Sequence, residues 1–252
     1  IIVSSISPLP IWRAYLWSRK YKAKLIFEVR DIWPLSLVEL GGIRVYNPFV
    51  LFLGLTERFA YKVSDHVVSV LPDAFKHMRK KGLCPKRFKC IPNGIDLNMS
   101  QSKISNEFES KIPNNKFIVA YTGAIGIANS LITFAKAAKI LNDNSQIQFL
   151  IVGDGSEKDS ILSFKQKYSL SNLLILNPIP KSSVIPFLSK YVDACYIGLQ
   201  SQPIFRFGIS PNKLFDYLYS CTPIIQSIDA SNDIVKDAKA GFSVEPENPQ
   251  AI

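Results

Sequence analysis

Lys213 and Asp216 lie three residues apart in the stretch FRFGISPNKLFDYLYSCTPII, residues 205–225, which carries the best-specified local chemistry in the chain. Ser210 followed by Pro211 reads as an N-cap and a first helical residue. The hydroxyl can accept a first-turn N–H, and the ring supplies a preset φ. Leu214, Phe215 and Leu218 recur at helical spacing and predict a core-facing side. Lys213 and Asp216 are left on neighbouring surface of the same helix. A cation beside free N–H groups at the positive end of a helix suits a phosphate. A carboxylate one turn further on suits sugar hydroxyls. The plainer alternative is a capped surface helix with an i,i+3 ion pair.

Two glycine-bearing turns follow apolar runs that read as strands. Phe117 to Tyr121 leads into Thr122-Gly123-Ala124-Ile125-Gly126, and Ile147 to Val152 leads into Gly153-Asp154-Gly155. Glycine lets a backbone come close to a phosphate, but neither turn is the dinucleotide fingerprint, and each also reads as an ordinary tight turn. Arg30 and Asp31 leave the C-terminal end of a third strand, residues 24–29. That edge of an open α/β sheet is where ligands bind, so the pair could face a substrate or form a local ion pair.

The elements that must hold these residues alternate. Further strands read at 66–70, 88–91, 173–176, 194–199 and 224–225, with helices from Asn47-Pro48, over 72–82, from about 129, near 182–190 and over 211–220. Ser156 to Asp159 has the spacing of a capping box. Strand and helix in alternation imply a mostly parallel sheet covered on both faces. Residues 97–116 are polar and aperiodic, and read as an interdomain linker.

At 252 residues and 47% hydrophobic, the chain can bury one large or two modest cores. Its net charge of +10 is lopsided: residues 1–100 hold 16 Lys and Arg against 7 Asp and Glu, and the rest hold 14 against 13. A basic first part points to an anionic surface or ligand. Residues 11–24, IWRAYLWSRKYKAK, interleave aromatic and basic residues. They read either as an interfacial amphipathic helix or as a surface helix with its aromatics turned inward. No nucleic-acid-binding motif accompanies the charge, so a membrane is favoured over nucleic acid. Cys84, Cys90, Cys195 and Cys221 form no C-x-x-C, and His66 and His77 are isolated, which suits a reduced cytosolic protein without a metal site. The longest apolar run, 49–55, is too short to span a bilayer. No signal peptide is read, and both ends look cut from a longer protein.

In order and spacing, IPNGID at 91–96, Tyr121-x-Gly123-x-x-Gly126, VGDG at 152–155 and the 205–225 stretch resemble family 4 retaining glycosyltransferases of the GT-B fold. FEVRDIWP and SPNKLFDYL resemble the branch with bacterial O-antigen and capsule transferases, including N-acetyl-L-fucosamine transferases. The resemblance implies an α/β chain of two Rossmann-like domains with parallel sheets. A partial, acceptor-side N-terminal domain would cover 1–99, a linker 100–114, and a nucleotide-sugar donor domain 115–252 without its last helix. Asp216 matches the second acid of the family's E-x7-E motif, a ribose binder, while the first acid falls on Gly208. Ser210, Asn212 and Lys213 are expected to replace that acid at the pyrophosphate and sugar. The Lys that relatives carry after the first glycine turn is missing from GIANSLI, so Lys213, Arg206 and the helix dipole are assigned the diphosphate. Gly123, Gly126, Gly153, Asp154 and Gly155 would complete the donor site, with Pro178 in the 177–181 loop that resembles the base-holding segment.

Arg30, Asp31 and Lys213 are the expected catalytic residues. The resemblance further implies transfer from a nucleoside-diphosphate sugar, UDP-linked, to a lipid-linked saccharide at the inner face of the cytoplasmic membrane, with no metal or other cofactor and no nucleic acid. A non-catalytic nucleotide-sugar-binding module and a nucleotide-sugar epimerase of the same fold are the alternatives.

Overall fold

The computed structural model describes residues 1–5 and 7–252. The chain divides into two compact units. The first holds Ile1–Asn93, Gln202–Ser210 and Ala230–Asn232, and the second holds Gly94–Ser201, Pro211–Asp229 and Asp233–Ile252. The 205–225 stretch therefore changes unit between Ser210 and Pro211.

Unit 1 contains β1 (Ile2–Ser4), α1 (Ile11–Lys20), β2 (Ile26–Val29), α2 (Leu35–Glu39), α3 (Pro48–Val63), β3 (His66–Ser69), α4 (Ala74–Lys80) and β4 (Phe88–Cys90). Its four strands run parallel in the order β1-β2-β3-β4. Val3, Phe27, Val29 and Val67 from the sheet pack with Ile11, Ala60, Tyr61 and Met78 from the helices. Asn47 caps α3 as its sequence predicts, its side chain accepting Phe49 N–H at 2.9 Å with Pro48 in the first turn.

Unit 2 contains α5 (Asn106–Glu109), β5 (Phe117–Thr122), α6 (Leu131–Ile140), β6 (Ile147–Val152), α7 (Lys158–Lys167), β7 (Leu173–Leu176), α8 (Lys181–Tyr191), β8 (Ala194–Gly198), α9 (Asn212–Tyr219), β9 (Ile224–Ser227), α10 (Ile234–Asp237) and β10 (Gly241–Val244). Six parallel strands lie in the order β10-β9-β8-β5-β6-β7. The central strands β5, β6 and β8 are buried almost throughout, because helices cover both faces. Edge strand β10 is not, and its short GFSV sequence gave no periodic signal. The apolar stripe read on α6 packs inward, with Phe134 against Phe149 and Tyr196.

The polar 97–116 segment, read as a linker, lies in unit 2 and carries the short α5, whose Ser105 hydroxyl accepts Phe108 N–H at 3.2 Å. One local expectation fails. The capping box at 156–159 does not form: α7 starts at Lys158 without a side-chain cap bond. Gly155, with φ at +153°, instead turns the chain toward Ile125, whose carbonyl accepts Glu157 N–H at 3.0 Å.

Candidate functional site

The C-terminal ends of β5 and β6 and the start of α9 converge on one cleft of unit 2, about 610 Å³ in volume. Gly123, Gly153, Asp154, Pro178, Asn212, Lys213 and Asp216 line it, together with Asn129, Ile179 and Lys181. The size suits a small organic ligand, and the location is the carboxyl edge at which open α/β sheets bind ligands.

Two residues fix how α9 meets this edge. Leu214 and Tyr217 are fully buried, and the Tyr217 hydroxyl accepts the Thr122 N–H at 2.9 Å at the end of β5. Lys213 lies one turn before Tyr217 on the same side of the helix, so anchoring Tyr217 carries the Lys213 ammonium over the first glycine turn. There Lys213 Nζ donates to the Tyr121 hydroxyl and, at 3.3 Å, to Asn129 Oδ1. Tyr121 and Asn129 both donate in turn to the Ala124 carbonyl, at 2.6 Å and 3.1 Å. Lys213 forms no ion pair among the described residues. Burial lowers its pKa from 10.5 to about 7.

Asp216, on the same helix, is buried and paired with Lys181 at the start of α8. The plain reading of this helix therefore fails on both counts. Asp216 bonds Lys181 rather than Lys213, and Ser210 is not the cap. Pro211 occupies the N-cap position with no side-chain bond, while the Ser210 hydroxyl accepts Asn93 N–H at 2.9 Å within unit 1. With a ring in place of an acceptor, no side chain caps the first turn of α9, and the Leu214 N–H turns back to the Pro211 carbonyl at 3.1 Å.

The glycines divide by function. A Cβ on Gly153 would stand 1.9 Å from the Gly123 carbonyl oxygen, and one on Gly155 would stand 2.4 Å from the Ile125 carbonyl oxygen. These two positions let the turns pack backbone to backbone, joined by Gly123 N–H to Val152 O at 3.0 Å and Ile125 N–H to Asp154 O at 2.8 Å. Gly123 combines a φ of +129° with close approach of Lys213 Nζ, 3.2 Å from where a Cβ would lie. Gly126 is extended, with its nearest neighbour at 3.7 Å, and is not a cleft residue. Asp154 accepts its own turn's Gly155 N–H at 2.9 Å and pairs with Lys158 at 3.4 Å.

The remaining expected residues belong to unit 1 and have partners there. Arg206 makes a two-pronged bond to Glu39, both distances 2.7 Å, and that pairing raises its pKa. Gly208 adopts φ +93°, and a Cβ there would lie 2.5 Å from Pro72 Cδ, so no acid could replace it without moving the backbone. The Arg30 and Asp31 N–H groups both donate to the buried Ser5 hydroxyl, at 2.9 Å and 3.2 Å. Desolvation raises the Asp31 carboxyl, with Arg30 opposing. His77, read as isolated, meets the buried Glu57 at 2.7 Å. Lys181 and Asn129 in the cleft, and the buried Tyr121 that Lys213 bonds, are residues to which sequence reasoning gave no role. Lys181 had a signal, directly after Pro180 at a helix start, and Tyr121 opens the first glycine motif.

The protonation of Lys213 gives a prediction. Its folded pKa lies below the unfolded value, so between about pH 7 and 10.5 the unfolded chain holds the extra proton and stability rises with pH. An anion in the cleft favours the charged form, so binding at pH 8.5 should take up close to one proton. Calorimetry of a nucleoside diphosphate in two buffers of different ionisation enthalpy measures that uptake. Lys213→Met should abolish it.

A parallel α/β sheet with a cleft at its carboxyl edge is the arrangement in which open α/β sheets bind ligands. Residues 102–252 match the profile of the Glycosyl transferases group 1 family, and the chain belongs to that family. It is 24% identical over 205 residues to the putative colanic acid biosynthesis glycosyl transferase WcaI of Escherichia coli K12, covering 78% of this chain and 49% of that protein. The chain thus spans about half the length of this curated relative. Among solved structures, Anabaena HepE in complex with UDP superposes with a TM-score of 0.70 at 15% identity, over 99% of this chain and 66% of that one. Sucrose-phosphate synthase from Thermosynechococcus elongatus gives 0.71 at 16% identity, over 100% and 61%. The α/β architecture with parallel sheets is the fold that the GT-B resemblance implies.

Proposed function

We propose that the chain carries the donor site of a retaining, metal-independent glycosyltransferase. It would move a hexose or N-acetylaminosugar from a UDP-sugar to a lipid-linked saccharide in O-antigen or capsule synthesis. The place of action is the cytoplasm, peripheral at the inner face of the membrane. One observation carries the reading: the Lys213 amine has no carboxylate partner among the described residues and is held over a glycine turn beside the start of α9. A departing diphosphate develops charge at such a position, and a preorganised donor there stabilises the transition state more than the ground state. Asp216, held by Lys181, is assigned to the ribose, and the 178–179 backbone to the base. Arg30 and Asp31 are assigned to the acceptor. The leaving phosphate oxygen takes the acceptor proton in a front-face attack, so a glycosidase-like carboxylate pair is not needed.

The test incubates the chain with UDP-hexoses and UDP-N-acetylhexosamines and a diphosphate-lipid-linked saccharide, following UDP release. Release should depend on acceptor and persist in chelator. Asp216→Ala should lower kcat/KM by about tenfold, the value of one lost hydrogen bond to a charged group. UDP-sugar binding without turnover would instead support a non-catalytic binding module.

A further inference from the structure

Two helices of unit 1 expose an apolar face that no chemistry above uses. On α3, Phe49, Leu51, Phe52 and Leu55 are all about half exposed or more, and Tyr46 just before it is 87% exposed. On α1, Leu16 is 61% and Trp17 48% exposed. The two stripes adjoin: Trp12 stacks on Phe59 with ring centroids 3.9 Å apart, and its indole N–H donates to Thr56 at 3.2 Å. The 11–24 segment forms a helix with one buried side, and neither Trp12 nor Trp17 is buried. Ile11 and Ala14 turn inward, while Leu16 and Trp17 turn out.

The charge around this face is mostly basic, its partly exposed acid Asp65 being paired with Lys24 at 3.2 Å. Arg13, Arg19 and Lys20 on α1 and Arg58 and Lys62 on α3 are exposed, and α1 contains no acidic residue. The only acid of α3 is Glu57, which is 2% exposed. Arg13 and Lys20 lie over the Trp17 and Tyr21 rings at 5.6 Å and 5.4 Å, so cation and aromatic surface are presented together. A second protein surface would have to match a mostly basic rim as well as an apolar stripe. An anionic bilayer satisfies both, taking the aromatic and aliphatic side chains at the headgroup boundary and the cations at the phosphates. No helix among the described residues is long and apolar enough to cross a membrane.

We infer that the α1–α3 face of unit 1 is a monotopic docking surface for a membrane rich in anionic phospholipid, with Phe52, Leu55, Leu16 and Trp17 entering the interface. The inference deepens the lipid-linked acceptor reading and rests on it, but its test fails separately from that of the donor site. Sedimentation with phosphatidylcholine vesicles, with and without about one third phosphatidylglycerol, measures the partition. Binding should require the anionic lipid and fall steeply between low and high salt. Phe52→Glu with Leu55→Glu should reduce it by about tenfold or more, since each side chain contributes an apolar burial that a charge forbids. Arg19→Glu with Lys20→Glu should reduce it with the apolar face intact. Both double variants should keep UDP binding at unit 2, and an unchanged far-UV circular dichroism spectrum and melting profile shows that unit 1 folds as well. Unchanged partition in both variants overturns the inference. So does a concentration-dependent dimer that the Phe52 and Leu55 changes dissolve, because the face would then belong to a second copy.

Discussion

Lys213→Ala should raise the Kd for UDP by roughly 10- to 100-fold while leaving the chain as stable as before, or more so. The loss corresponds to a charge-assisted hydrogen bond of about 1.5–3 kcal/mol. The stability side follows from what surrounds the ammonium. It is desolvated enough to depress its pKa to about 7, yet among the described residues it bonds neutral oxygens alone, on Tyr121 and Asn129. Removing an uncompensated cation relieves a cost. A lysine that merely filled space would show the opposite pattern, a lower Tm with unchanged affinity. Lys213→Arg should not restore binding, because Gly123 and the Tyr121 ring, 3.9 Å from Nζ, enclose the lysine end closely. Thermal melts and calorimetry on the same two preparations decide between the outcomes.

Gly153→Ala should destabilise unit 2 by more than about 3 kcal/mol, enough to lower its Tm by roughly 10 °C or prevent folding. The new methyl would stand 1.9 Å from the Gly123 carbonyl oxygen, a backbone atom held in place by the Gly123 N–H to Val152 bond. Relief requires separating the two turns that build the cleft. Gly126→Ala is the matched control. Its backbone is extended and its neighbour lies at 3.7 Å, so its Tm should stay within about 2 °C. If the two alanines behaved alike, the backbone packing of the turns would not be what these glycines serve.

These glycines show where the sequence is informative and where it stops. Alternating strands and helices were legible because buried parallel strands such as Ile147–Val152 are continuous apolar runs, and α6 repeats its apolar face at helical spacing. That Gly123, Gly153 and Lys213 share a cleft was legible as an order of motifs, without its geometry. Gly153 and Gly126 look equivalent in a row of letters, since the distinction lies in a carbonyl supplied by another turn. Asp216 was readable as a cleft carboxylate, but its partner Lys181 lies 35 residues away, and local i,i+3 spacing pointed to Lys213 instead. Ser210 has the residue type of a cap and the wrong neighbour, because Asn93 claims its hydroxyl. Arg206 was assigned by charge alone, and Glu39, 167 residues earlier, takes that charge. Long-range pairing decides each of these cases, and none leaves a local trace.

The most direct measurement is calorimetric titration of UDP, GDP and ADP into the unaltered chain. The account predicts saturable, one-to-one binding of UDP, at least about tenfold tighter than either purine nucleotide. A folded chain that bound no nucleotide, or bound all three alike, would contradict the assignment of the Lys213 cleft as the site of a UDP-sugar donor.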